Sequence, residues 1–270
     1  MNVDVEGFWE KGYLLIRGVF EREEIAAIRE GACESRDHKG DLLSNPRLGK
    51  VMLDDRVLET AGQILGSTPV YFGDSGCSFG EKSHGYHKDN ADRNDGKGPD
   101  WNGRYTLIRF GIYLQDHFTH SGGLNVREGS HNFASSEKGK NLYLRTKPGD
   151  LVVWNMRTSH SGNGLLLRIS PWLYVEPRRA DRLPRFLFCP TQGERIALFF
   201  SFGLDDQHLE RYIEYLKTRT YMVTSWRSSH YDDQVWQKAR GKPVIIRDVW
   251  SEIKEESGLG MNESYAPIPY

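Results

Sequence analysis

His87 and Asp89 flank Lys88. Residues i and i+2 of an extended chain project to the same side, so an imidazole and a carboxylate converge there. With one further imidazole they would make a two-histidine, one-carboxylate set, which leaves positions open on a divalent metal. In a chain with nine histidines a solvated surface pair would carry the same spacing. A second histidine, His160, follows the apolar run Leu151–Trp154 and precedes a turn over Ser161–Gly164. A histidine so placed can face a cavity or lie in a solvated loop. Beyond it, Leu165–Val175 reads as a strand with Leu166, Arg168, Ser170, Trp172 and Tyr174 on one face. Its other face carries Leu165, Leu167, Ile169, Leu173 and Val175 and is the expected packing face. A guanidinium aimed into a confined interior is costly unless an anion meets it. Arg168 with Ser170 could grip a carboxylate through a fork and one added donor; an internal salt bridge or water would serve equally. Tyr105–Gln115 has the same character. Tyr105, Leu107, Arg109, Tyr113 and Gln115 share one face, and Thr106, Ile108, Phe110, Ile112 and Leu114 the other.

The elements that must position these residues are legible in outline. Phe8–Gly12 reads as the end of a short helix, and Tyr13–Ile16 as a buried strand stopped by Gly18. Glu21–Cys33 and Arg56–Leu65 read as amphipathic helices. From Val70 the character changes: short runs at Val70–Phe79, Tyr105–Leu114, Gly123–Val126, Leu151–Trp154, Leu165–Val175 and Ile196–Phe202 are punctuated by Gly, Asp, Asn and Ser. Strands so spaced, without helices between them, predict an antiparallel sandwich or barrel. Leu204–Arg219 reads as a helix with Leu209, Tyr212, Ile213 and Leu216 on one stripe.

The chain has 270 residues, 38% of them hydrophobic and 27% charged, an ordinary globular balance. Its 36 Lys and Arg against 37 Asp and Glu give a net charge of -1 and no general electrostatic reason to bind nucleic acid or an anionic membrane. No apolar run approaches the roughly 20 residues of a membrane span. Asp4, Glu6 and Glu10 are foreign to a signal peptide. Cys33, Cys77 and Cys189 form neither a disulfide framework nor a CxxC metal site, and a reducing, cytoplasmic compartment is expected.

Taken in order, these pieces resemble the phytanoyl-CoA dioxygenase-like family of iron(II)/2-oxoglutarate oxygenases. The resemblance runs through Gly12–Phe20, Tyr71–Asp74, His87–Asp89, the Gly-Gly…Gly-Ser-His stretch Gly122–His131, Gly149–Trp154, His160–Asn163 and Arg168, covering about residues 5 to 178. It implies a mainly β chain with flanking helices: a double-stranded β-helix (jelly-roll, cupin-like) core. One domain is expected, with a helical N-terminal part over 1–68, the core over about 69–203 and a helical C-terminal extension over about 204–270. The extension would cap the core or make a dimer contact.

The same resemblance implies that His87, Asp89 and His160 hold Fe(II), and that Arg168, helped by Ser170, holds the distal carboxylate of 2-oxoglutarate. The eight-residue step from His160 to Arg168 is shorter than the family often has. His131 would support the wall of the site rather than bind metal. O₂ and 2-oxoglutarate would be consumed to give succinate and CO₂, with oxidation of an unactivated C–H bond of a small organic substrate. Hydroxylation is the usual outcome; desaturation, ring formation and epimerisation are others. Tyr105, Lys88, Arg93 and Arg109 are the candidate substrate contacts, and the cations among them would suit a carboxylate or phosphate. The polar, glycine-punctuated stretch His84–Gly103 is expected to form a lid. A monomer or homodimer is expected. Two other readings remain: a catalytically silent jelly-roll module, and a cupin-type metal hydrolase or isomerase that does not use 2-oxoglutarate. A zinc site built from His117 and His120, or from His84 and His87, would lack thiolates and leave Asp89 without a role.

Overall fold

In the computed structural model, residues 2–80 and 85–261 are described. Helix α1 (Val5–Lys11) is capped by the Asp4 side chain and stopped by Gly12 in the left-handed region. It feeds strand β1 (Tyr13–Ile16), helix α2 (Arg22–Glu34), the single turn α3 (Gly49–Met52) and helix α4 (Asp55–Leu65). The β part follows as β2 (Val70–Phe79), β3 (Ile108–Tyr113), β4 (Gly123–Glu128), β5 (Lys140–Leu144), β6 (Leu151–Asn155) and β7 (His160–Gly164). A long connection containing the turn α5 (Pro177–Ala180) leads to β8 (Ile196–Gly203). Helices α6 (Gln207–Lys217), α7 (Thr220–Ser228) and α8 (Asp233–Ala239), the short strand β9 (Ile245–Ile246) and helix α9 (Val249–Ile253) complete the order.

The strands form two sheets, a six-stranded one in the order β1-β6-β3-β8-β2-β9 and a three-stranded one in the order β5-β4-β7. Side-chain alternation assigns the faces. Ile108, Phe110, Ile112, Leu151, Val153, Leu198, Phe200 and Phe202 pack on one face of the large sheet, against Ile25, Ile28, Val57, Ala61 and Ile64 of the N-terminal helices. The opposite face presents Tyr113, Val152, Trp154 and Ala197 to Leu124, Val126 and Leu144 of the small sheet. This is the expected mainly β jelly-roll with helices on its flanks. The C-terminal helices close one end: Leu209, Tyr212, Leu216, Met222, Trp226, Val249 and Ile253 pack on Val70, Phe72, Tyr105 and Leu107. Among the described residues no helix is long and apolar enough to cross a membrane.

Two local expectations change. The glycine-rich stretch after His160 is not a turn but strand β7 itself, paired with β4 through Gly123–Gly164, Asn125–Ser161 and Val126–His160. Gly164 answers to a neighbour, since a Cβ there would lie 2.5 Å from the Tyr143 ring. The strand expected over Leu165–Val175 does not form. Only an isolated bridge joins Leu167 to Phe188, and Ile169 and Leu173, assigned to the packing face, are 85% and 56% exposed. Pro171 supplies no N–H for a ladder, so the chain leaves the sheet there.

Candidate active site

The backbones of residues 87 and 160 exchange two hydrogen bonds, His87 N to His160 O at 3.0 Å and His160 N to His87 O at 2.9 Å. That antiparallel bridge stands the two rings side by side, with centroids 4.2 Å apart. The Asp89 N–H donates to Met156 O at 2.9 Å, which brings its carboxylate to the same side. The result is one cluster in which a ligand atom from each of His87, Asp89 and His160 lies within 4.8 Å of the others. His87 Nδ1 lies 3.1 Å from Gly85 O, and His160 Nδ1 lies 3.0 Å from Thr158 O. Each carbonyl favours the proton on Nδ1 and leaves the Nε2 lone pair directed at the cluster. Burial, with His160 alongside, pushes His87 down to about 4, and burial lowers His160 as well. Both rings are therefore neutral donors at neutral pH.

Burial alone would raise the Asp89 carboxyl, but Arg109, joined in acid by the two protonated imidazoles, outweighs it and holds it well below the usual carboxylate range. The guanidinium responsible is tightly fixed. Arg109 donates from Nη1 to Asp89 Oδ2 at 2.9 Å, from Nη2 to Asp74 Oδ2 and from Nε to Ser201 Oγ at 3.0 Å. Ser201 Oγ in turn donates to Asp74 at 2.8 Å. Arg109 thus spends its fork on two carboxylates and presets the orientation of Asp89. Sequence alternation correctly turned it inward; its carboxylate partner on β2 carries no local signal in the sequence.

Beside the cluster lies a cavity of about 240 Å³ between the two sheets, bordered by His87, His160, Arg109, Tyr113, Trp154 and Arg195. Arg195, at the root of β8, is buried. Its Nε donates to Gly122 O at 2.9 Å, and its guanidinium sits 5.5 Å from the Tyr113 ring centre. The Tyr113 hydroxyl lies beside it without a well-formed hydrogen bond, and that hydroxyl and the Trp154 indole N–H are buried polar groups with no partner among the described residues. Unmatched buried donors are costly, and a cavity lined by two of them and an arginine is built for an acceptor-rich anion. Arg195 was not anticipated from the sequence.

Several anticipated residues sit elsewhere. Arg168 does not border this cavity. Its backbone N–H donates to Leu187 O at 2.9 Å, and its Nε donates to Phe188 O at 2.8 Å. It lines a separate cleft with Arg185 and Cys189. Ser170 follows it on the same irregular connection, where its carbonyl accepts from Leu173 N. Lys88 points away from the metal cluster, as the alternation that unites residues 87 and 89 requires, and its buried Nζ donates to Ser130 O at 2.8 Å and Arg157 O at 2.7 Å. Arg93 donates to Asn90 O at 2.9 Å and stacks on Tyr215. Tyr105 is fully buried, its ring edge against His208. None of these borders the cavity.

The expected lid is also pinned. Asp100 accepts from Asn90 Nδ2 and from Asp92 N, Trp101 Nε1 donates to Asp92 O, and Arg211 of α6 bridges to Asp92. His84 lies outside the described residues, so neither the first residue of that stretch nor a zinc pair with His87 is located.

No protein-family model and no curated protein sequence matches the chain. Solved structures do. The non-heme alpha ketoglutarate dependent epimerase SnoN from nogalamycin biosynthesis superposes with a TM-score of 0.53 at 15% identity, over 73% of this chain and 80% of its own. HygX from Streptomyces hygroscopicus, with nickel and 2-oxoglutarate bound, gives 0.54 at 18% identity, over 73% and 84%. EctD from S. alaskensis, with 2-oxoglutarate and 5-hydroxyectoine, gives 0.54 at 14% identity, over 74% of each chain. At these identities the likeness is one of fold.

Proposed function

We propose that this chain is an iron(II)- and 2-oxoglutarate-dependent oxygenase, of the kind that the phytanoyl-CoA dioxygenase-like resemblance implies, acting on a small organic substrate. The observation that carries the proposal is the meeting of His87, Asp89 and His160 in one cluster, two of whose members border a cavity that Arg195 also lines. Solved structures of the same fold with 2-oxoglutarate or a metal bound support it. The donor set fits iron(II): two neutral imidazoles with aimed Nε2 atoms and one ionised carboxylate make a facial set with open positions.

His87, Asp89 and His160 would hold the metal, and the metal with 2-oxoglutarate would supply the oxidising power for C–H oxidation, with release of succinate and CO₂. Arg195 would pair with the distal carboxylate of 2-oxoglutarate, with the Tyr113 hydroxyl as an added donor, in place of Arg168 and Ser170. Arg109 would orient Asp89 rather than pair with a charged substrate group. Trp154, Phe199 and Leu124 supply walls of the cavity beside the reacting centre. Hydroxylation is the proposed outcome. Three free cysteines suit a reducing, cytoplasmic setting.

The reading is tested by succinate formation from 2-oxoglutarate in the purified protein. It should require added iron(II) and oxygen and stop on chelation. Turnover that persists in anaerobic buffer without 2-oxoglutarate would favour a cupin-type hydrolase or isomerase, and a protein that binds neither metal nor 2-oxoglutarate would be a silent module. The positioning role of Arg109 predicts that Arg109→Gln weakens metal affinity about 10–100-fold, the usual cost of losing an outer-shell partner. Ser201→Ala, which touches only the far side of Arg109 and Asp74, should weaken it far less in the same metal titration.

A further inference from the structure

A second chamber of about 330 Å³ adjoins the first across a shared wall of Ser78, Arg109 and Phe199. Its floor is the inner face of β2, where Asp74, Gly76 and Ser78 alternate. Its roof is α7, which contributes Tyr221, Met222 and Ser225. Arg109 forms part of its wall and also bonds to Asp89, so the chamber stands one residue from the metal cluster.

The charges of this chamber are already matched. Among the described residues its charged wall groups are Asp74 and Arg109. Asp74 accepts from both Arg109 and Ser201, and Arg109 gives its remaining Nη to Asp89. Among the described residues, a phosphate or carboxylate placed here would find no cation to spare and two carboxylates nearby, and like charge set against like charge is disfavoured. Lys88 and Arg93, the cations expected at the mouth, are bonded to backbone carbonyls elsewhere. The surface that remains comes from Phe199, Met222, Cys77 and the Tyr221 ring, with small hydroxyls at Ser75, Ser78 and Ser225.

We infer that this chamber is the substrate site and that it selects an uncharged molecule with an apolar skeleton and a few hydroxyl or carbonyl groups, α7 of the C-terminal extension being its specificity-determining wall. The inference builds on the oxygenase reading for the reaction, while the chamber and its charge balance stand apart from it. Gly76 is the point of control. A Cβ there meets no atom within 4 Å, so a larger side chain enters the chamber without disturbing the β2–β8 pairing through Gly76 and Phe199.

The test uses menthol, menthone and menthyl phosphate as probes on the full chain with nickel(II) and 2-oxoglutarate, read by saturation-transfer NMR. Menthol and menthone should bind and menthyl phosphate should not. Gly76→Val should weaken menthol about tenfold or more, equivalent to about 1.4 kcal/mol or more, with 2-oxoglutarate affinity unchanged. Ser225→Leu, narrowing the chamber from the helix side, should do the same if Gly76→Val fails to fold. Binding of menthyl phosphate as tight as that of menthol, an unchanged menthol affinity in both variants, or no binding of either neutral probe would each overturn the inference. A wild-type protein that takes neither nickel nor 2-oxoglutarate would defeat the oxygenase reading instead, and menthol titrated into the metal-free chain would still decide the chamber.

Discussion

Arg195→Met is expected to raise the KM for 2-oxoglutarate about a hundredfold or more, while Arg168→Met leaves it within about twofold; removing one partner of a buried ion pair costs about 3–5 kcal/mol, and each 1.4 kcal/mol is about tenfold in affinity. The contrast follows from what each guanidinium already does. Arg195 is buried, is held through Nε by Gly122 O and lines the cavity. Arg168 lines a different cleft and donates its Nε to Phe188 O. Methionine keeps much of the length and apolar volume of arginine, so the loss reads as charge rather than as a void. Equilibrium binding of 2-oxoglutarate to the nickel(II) protein separates this effect from turnover. If Arg168→Met were the variant that lost 2-oxoglutarate, the assignment of Arg195 would be wrong and the stretch after β7 would have to move into the core.

Arg195 was hidden by a topological choice that residue spacing does not record. Counting forward from His160 presumes that β7 turns directly into the next core strand. Here the chain leaves the small sheet at Gly164, wanders through the exposed Ile169, Trp172 and Phe186, and rejoins the large sheet only at Ile196. The residue entering that strand is Arg195. Apolar alternation in Leu165–Val175 imitated a strand because nothing local distinguishes an exposed leucine from a buried one.

Within Tyr105–Gln115 the periodic signal held. The alternation of Tyr105–Gln115 separated Ile108, Phe110 and Ile112, which reach the helix-covered face, from Arg109 and Tyr113, which reach the cavity. The same rule, carried one residue further, would have turned Lys88 away from Asp89. Roles set by distant partners were beyond reach. Arg109 answers to Asp74 on β2, and the C-terminal Trp226 answers to Phe72, whose carbonyl accepts its indole N–H at 3.0 Å. Strand β7 was obscured by composition, because Gly164 makes room for the Tyr143 ring on β5.

His160→Ala should abolish metal binding, a larger loss than the about 10–100-fold that follows removal of an outer-shell partner, whereas His131→Ala should leave metal affinity unchanged and lower Tm. The two histidines are both buried, and each falls in a motif of the family resemblance, so the comparison isolates geometry. His160 Nε2 lies 3.4 Å from Asp89 Oδ2, inside the cluster. His131 Nε2 instead lies 2.9 Å from Trp9 O, tying the strand end to α1. Alanine at 131 therefore removes a tether between the core and the N-terminal helix and leaves the site's own ligands in place. His117 gives a further contrast. Burial, with Arg195 nearby, pushes it down to about 3, and its Nδ1 lies 3.3 Å from Thr146 Oγ1. Among the described residues His117 joins no cluster of potential ligands, so His117→Gln should leave a metal titration unaltered. Retained tight binding in His160→Ala, or loss of it in His117→Gln, would move the metal away from residues 87, 89 and 160 and remove the basis for an iron-dependent reaction in this cavity.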